Sequence, residues 1–382
     1  KYLDEKVRAR DLDASFLNYK VWSAPSGEEH GAILGVGGNY GYDYADKDPD
    51  IMPYNNEHGT HVAGVISAVN NNGEGIASIA GGNGSKDSGV KIMSCQVFSG
   101  QQGSTAIQIV RAMKYAADNG AVVLQCSWGY NSAKANLIMG YTPGPATEEE
   151  WASLYPLEKE AIDYFIHKAG SPNGVINGGL AIFASGNEYA AQSSFPAAYS
   201  KCISVSAVAA DYTPASYSNY GKEVLLSAPG GDLEYHGEVG KDDTQEYQGA
   251  ILSTLVINGE ACYGYYEGTS MACPHVSGIA ALGLAYAKQQ HRHFTSEEFR
   301  ELMYTSARDI DDYFVGEKLY YMRHESAGAS PIKMNLADSR GKMGRLADAG
   351  ALLKAIDGSG RDMRLPNICL KPNTFRIFFN KQ

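Results

Sequence analysis

Three short motifs in this chain bring together a nucleophile, a base and an oxyanion donor. In Gly268-Thr269-Ser270-Met271-Ala272-Cys273-Pro274-His275 a hydroxyl stands at the entrance to a run of small and apolar residues, His275 to Lys288, that reads as a helix. Pro274 fits such a helix only near its start, and a serine there feels the positive end of the helix dipole, which favours negative charge developing beside it. Ser and Thr are also ordinary helix caps, so this motif alone decides nothing. Glu57-His58-Gly59-Thr60-His61-Val62-Ala63-Gly64 places an imidazole at the start of a second small-residue helix. Ala181-Ile182-Phe183-Ala184-Ser185-Gly186-Asn187 is an apolar strand that ends on a carboxamide. A serine nucleophile needs a base to take its proton and a donor to hold the oxyanion that follows. Ser270, His58 and Asn187 form such a set, and its chemistry is acyl transfer. A metal site at His58 and His61 is the competing use, but the H-E-x-x-H form is absent, so His61 reads as a packing residue on the same helix.

In this chain order the three motifs resemble those of the subtilisin-like serine proteases, and the likeness runs from about Gly38 to about Ala355. The resemblance implies a serine endopeptidase acting on polypeptide through an acyl-enzyme, with Ser270 attacking, His58 as base and Asn187 as oxyanion donor. It also implies that Ser127-Trp128-Gly129 lines the substrate cleft and pairs with peptide backbone as an added strand. A turn with a buried Trp accounts for the same three residues. The family further implies a propeptide, structural calcium, no cofactor or metal for the chemistry, and a secreted, periplasmic or cell-surface location. An α/β-hydrolase is disfavoured, because its Ser precedes its His and sits in G-x-S-x-G.

One family feature has no counterpart in the sequence. The third catalytic residue, an Asp that closes an apolar strand upstream of the His and holds the imidazole tautomer, is missing. The run Ala32-Ile33-Leu34-Gly35-Val36 leads to Gly37-Gly38-Asn39, and none of the acidic residues before His58 ends an apolar run. Either a stretch has been lost between about Ala24 and Gly31, or the chain is a catalytically inactive relative that keeps a peptide-binding groove.

The elements that must position these residues follow from periodicity. Val90–Phe98, Ala121–Ser127, Leu180–Ser185 and Cys202–Ala209 are nearly continuous apolar runs, the pattern of parallel strands buried on both faces. Between the first two, Ile107, Val110, Met113 and Ala117 recur at helical spacing, with Gly120 as the stop. Strand, helix, strand in this form predicts an α/β fold of three layers, a mostly parallel sheet with helices on both faces. Leu157–Ala169 is a further helix, Ile251–Ile257 a strand running towards the serine motif, and Thr295-Ser296-Glu297-Glu298 a capping box. Gly344–Ala349 resembles the family's closing helix, and Phe195-Pro196 a segment where the bond is often cis. Tyr130–Pro156 reads as a polar insertion at the cleft edge or a solvated loop, and acidic Gly231–Gln248 as a solvated loop. The expected organisation is an N-terminal arm (1–27), a catalytic domain (28–357) and a C-terminal extension (358–382), which either opens a second β-domain or packs on the first.

Composition sets outer bounds. Lys and Arg number 32 against 43 Asp and Glu, a net charge of −11, which argues against nucleic acid as partner. No apolar run approaches the ~20 residues of a membrane span. Six scattered cysteines without a C-x-x-C pair argue against zinc; Cys95, Cys126 and Cys202 read as buried thiols, and Cys262 and Cys273 lie close enough to the serine motif for a disulfide.

Overall fold

Neighbouring residues of a strand point to opposite faces, so a strand covered on both sides is apolar throughout. In the computed structural model the strands Ala121–Cys126, Leu180–Ala184 and Ile203–Val208 are buried at every residue, and apolar except at Gln125, Ser204 and Ser206. The structure describes residues 41–45, 57–85, 88–98, 104–137, 140–233, 249–320 and 332–358, and the backbone of 376–379. In chain order the strands are β1 (Gly41–Asp43), β2 (Lys91–Gln96), β3 (Ala121–Cys126), β4 (Ile176–Asn177), β5 (Leu180–Ala184), β6 (Ile203–Val208), β7 (Leu226–Pro229), β8 (Ile251–Ile257) and β9 (Glu260–Tyr266). After these come β10 (Phe294–Thr295), β11 (Glu317–Tyr320), β12 (Ile332–Asn335), β13 (Arg345–Leu346) and β14 (Arg376–Phe379). The helices are α1 (His58–Ser67), α2 (Ala106–Asp118), α3 (Glu148–Leu154), α4 (Pro156–Lys168), α5 (Thr269–Gln289), α6 (Ser296–Ser306) and α7 (Ala349–Asp357).

Eight strands form one parallel sheet in the order β1-β2-β14-β3-β5-β6-β7-β13. Val123 and Ile182 face one core with Val62 and Ile66 of α1 and Val276 and Leu284 of α5. Leu124 and Phe183, their neighbours, face the other core with Met113 of α2 and Phe165 of α4. The expected three layers are therefore present. α1 and α5 approach closely because Gly278 has no side chain: a Cβ there would stand 2.9 Å from the Cβ of Ile79 and 3.7 Å from the Cα of Ile66.

Ile251–Ile257 forms the expected strand, β8, which pairs with β9 in an antiparallel hairpin against α1. Several other elements differ from expectation. Gly344–Ala349 is not a helix: β13 occupies its middle, and α7 starts at Ala349 with Asp348 capping it through Ala351 N–H (2.9 Å). The Tyr130–Pro156 excursion is partly ordered as α3, whose Trp151 is fully buried. Within the acidic stretch Asp232 is not solvated; it is buried in an ion pair with Lys318 (2.8 Å). Cys262 and Cys273 are free thiols, the latter buried on α5 against the carbonyls of Cys126 and Ile182, so no disulfide joins them. Phe195-Pro196 is cis. The N-terminal arm, the run Ala32–Val36, the suspected gap at 24–31 and most of 231–248 lie outside the described residues.

Candidate active site

In a parallel sheet the strands all end at one edge, and functional groups gather there. α5 begins at that edge and runs back over β3. Ser270 lies at Ser127, just past the strand, Cys273 at Cys126, and Ser277 at Gln125. The Ser270 hydroxyl donates to the Ser127 carbonyl (3.3 Å), and the Ser127 hydroxyl donates to the Ser270 carbonyl (2.8 Å). Gln125 supports this pair from below, donating to Ser127 Oγ (2.9 Å) and accepting from Ser277 Oγ (3.0 Å). α1 packs against α5 in one core. Its end is tied through Ala80 N–H to Ile66 O (2.8 Å) and Val90 N–H to Ala80 O (2.9 Å), which places that end at the start of β2. His58, at the opposite end of α1, therefore belongs to the same edge as Ser270.

Asn187 follows β5 at this edge, and its side chain has a defined orientation. Oδ1 accepts from Thr269 N–H (2.9 Å) and from Thr269 Oγ1 (2.8 Å). With the oxygen so occupied, Nδ2 is left as the donor; it lies 3.7 Å from where a Cβ on Gly268 would stand, beside the start of α5. The loop carrying Asn187 is bound on every side. Thr269 Oγ1 accepts from Gly186 N–H (3.3 Å), Asn219 N–H donates to Gly186 O (3.0 Å), and Asn219 Oδ1 accepts from the N–H groups of Glu188 (3.0 Å) and Ala190 (2.9 Å). Gly186 has a φ of 107°, and a Cβ there would meet the side chains of Asn219 and Glu188, so only glycine fits.

A model of the subtilase family matches residues 36–334. The chain belongs to the subtilase family. It is 32% identical over 299 residues to the major intracellular serine protease of Bacillus subtilis (strain 168), covering 76% of this chain and 75% of that one. Over 275 residues it is 32% identical to the thermophilic serine proteinase of Bacillus sp. (strain AK1), covering 69% of this chain and 54% of that protein. The chain thus spans about half the length of the latter relative. Among solved structures, that of a lanthipeptide protease superposes with a TM-score of 0.54 at 22% identity, covering 85% of this chain and 83% of that one, a likeness of fold.

In this subtilase the residues expected at the cleft divide. Gly129 alone is exposed, while Ser127 is buried with its hydroxyl and carbonyl both bonded to Ser270; beyond them Tyr130 N–H donates to Phe195 O (2.8 Å), and a Cβ on Gly129 would stand 2.9 Å from that carbonyl. Trp128 too is buried, its ring edge-on to Phe183 (5.5 Å) and Phe98 (6.1 Å), so a part for it at the edge rests on its backbone. His61 is fully buried, stacked on Tyr266 (4.7 Å), with Nε2–H donating to Ile251 O (2.9 Å), which fits packing. Burial, and then the nearby charge of His61, lowers the pKa of His58 to about 4. Glu188 is buried against Asn219, and burial raises its pKa.

Thr269, Asn219 and Tyr320 surround Asn187 and went unnoticed in the sequence. Thr269 adjoins Ser270, a signal available at the outset; Asn219 and Tyr320 act from distant segments and leave no local trace. Among the described residues no three His, Cys, Asp or Glu side chains converge as metal ligands, and no helix is long and apolar enough to cross a membrane.

Proposed function

We propose that this subtilase is a serine endopeptidase that cleaves peptide bonds through an acyl-enzyme. The observation that carries the reading is the oriented Asn187 carboxamide. Its oxygen is held by Thr269, the residue preceding Ser270, which leaves the N–H2 as the donor of this side chain at the start of α5. Ser270 Oγ attacks the scissile carbonyl carbon as His58 takes its proton, and the negative oxygen settles between Asn187 Nδ2–H and the Ser270 N–H. Collapse breaks the C–N bond, and His58 returns the proton to the departing amine. Water then enters by the same route in reverse, releasing the acid and restoring Ser270. The chemistry uses the chain's own groups and no cofactor.

A carboxylate against the other ring nitrogen of His58 belongs to the full mechanism, since it stabilises the imidazolium that forms. Of the acidic residues before His58, Asp43 ends β1, buried, with Oδ1 accepting from Ala45 N–H (2.7 Å), and Glu57 Oε2 accepts from Tyr266 Oη–H (3.5 Å); residues 1–40 and 46–56, which hold the others, lie outside the described residues. The substrate is read as polypeptide laid along Ser127–Gly129, with a propeptide as an intramolecular first occupant. One relative is named an extracellular protease and another an intracellular one, and we carry forward the exported location, which fractionation of the native cells tests.

A fluorophosphonate probe tests the core of the reading. Labelling of wild type at Ser270, abolished in Ser270→Ala and strongly slowed in His58→Ala, is the expected result. A folded wild type that takes no label removes catalysis and leaves a peptide-binding protein.

A further inference from the structure

An oxyanion donor lowers a barrier only if it is already in place when charge develops, so whatever fixes its backbone contributes to rate. The ties to Gly186 and Glu188 come from Thr269 and Asn219. The carbonyl of Asn187 itself is held from elsewhere: Tyr320 Oη–H donates to it (3.2 Å). Tyr320 ends β11 and is buried, with 3% of its surface exposed. Its hydroxyl lies 3.0 Å from that of Tyr141, which comes from the excursion after β3. With the Tyr320 proton directed to Asn187 O, Tyr141 is the donor to Tyr320. Tyr189, two residues past Asn187, packs its ring between those of Tyr320 (5.7 Å) and Tyr220 (5.5 Å).

β11 is itself anchored two residues earlier. The buried Lys318 ammonium donates to Asp232 (2.8 Å) and to Pro214 O (2.8 Å), while Asp232 also accepts from Ser216 N–H (2.9 Å) and Ser216 Oγ (2.9 Å). β11 is thus fixed to the body at one residue and bears on the oxyanion loop at another.

We propose that β11 braces the oxyanion loop, with Tyr320 as a positioning residue for Asn187 and Tyr141 fixing the direction of the Tyr320 hydroxyl. The inference rests on the protease reading above. It assigns to two segments outside the serine, histidine and asparagine motifs a part in turnover rather than in substrate binding.

Tyr320→Phe keeps the ring contacts and removes one donor. The expected result is a fall in kcat of about two- to tenfold, the range of one net hydrogen bond. KM on a short peptide amide stays within about twofold, and affinity for a peptide aldehyde, whose adduct with Ser270 carries the oxyanion, weakens by the same factor as kcat. In an Asn187→Ala background the Tyr320→Phe change has no further effect, because the group it positions is gone. Tyr141→Phe gives a smaller fall of the same pattern, and carries the test alone if Tyr320→Phe does not fold. An unchanged kcat, a rise in KM alone, or an equal fall in the Asn187→Ala background overturns the brace. A wild type labelled at Ser270 beside an unaffected Tyr320→Phe sinks the brace and spares the protease; a wild type that takes no label sinks both.

Discussion

Asn187 is fixed by opposite demands on its two ends: the oxygen is taken by Thr269, and the nitrogen is kept for a charge that exists only during reaction. A donor of this kind acts on the transition state and hardly on bound substrate. Asn187→Ala should therefore lower kcat on the order of 10²–10³-fold with little change in KM, measured on a peptide amide. His58 poses a different question, because burial and the charge of His61 lower its pKa to about 4. Only the neutral imidazole can accept the serine proton, so activity is lost as pH falls through the pKa of the free enzyme. Burial and His61 alone put the acid limb of kcat/KM near pH 4, the carboxylate that the full mechanism calls for places it higher, and in either case His61→Gln, by removing a like charge, should move it upward. An anionic partner against His58 raises the pKa. A wild-type limb near pH 7 would show that a carboxylate governs His58 and would overturn the lower value.

At the level of elements, β14 is the one with the most to test. Its backbone pairs on both sides, Arg376–Phe379 with Lys91–Ser94 of β2 and with the β3 run from Ala121 to Gln125. Removing residues 359–382 leaves two facing strand edges without partners. At about 1 kcal/mol per ladder hydrogen bond the loss is several kcal/mol, read as a lower urea midpoint. An unchanged midpoint would show that the sheet does not depend on this strand. β14 also marks where the sequence stopped being informative. Strands β3, β5 and β6 announce themselves because burial on both faces makes them nearly continuous apolar runs, α2 because Ile107, Val110, Met113 and Ala117 recur at helical spacing, and α6 because Thr295 forms a capping box with Glu298. The serine, histidine and asparagine motifs were legible for the same reason: each is local. Ile377 and Phe378 do read as strand-like in composition, but nothing local shows that their strand pairs with neighbours some 250 residues upstream. α3 was hidden because Glu148, Glu149 and Glu150 look solvated, although they suit a helix N-terminus capped by Thr147 and held down by Trp151. Tyr320 meets Asn187 across 133 residues, and Lys318 meets Asp232 across 86; only the completed sheet brings these pairs together.

For the whole molecule, two kinds of buried group pull stability in opposite directions over one pH range. Burial lowers the pKa of His58, His61 and His275 below the ordinary 6.5, so the fold favours their neutral forms. Stability from this source is full above pH 6.5 and is lost as pH falls towards 4. Glu158 behaves the other way. It is buried beneath the cleft strand, accepting from Trp151 Nε1–H (3.0 Å) and Tyr130 Oη–H (3.1 Å) through one oxygen, and burial raises its pKa from 4.5 to about 7. The fold therefore favours its protonated form: the stability it lends is full below pH 4.5 and drains away as pH rises to about 7. Glu158→Gln keeps an acceptor for Trp151 and Tyr130 and cannot ionise. Whatever constant cost the new N–H2 brings, the stability of Glu158→Gln relative to wild type should rise by about 3 kcal/mol between pH 4.5 and pH 8, at about 1.4 kcal/mol per pKa unit, and then level off. Urea unfolding at both pH values measures it. Wild-type and variant curves that stay parallel across that range would show that the Glu158 carboxyl ionises as freely in the folded protein as in the unfolded chain.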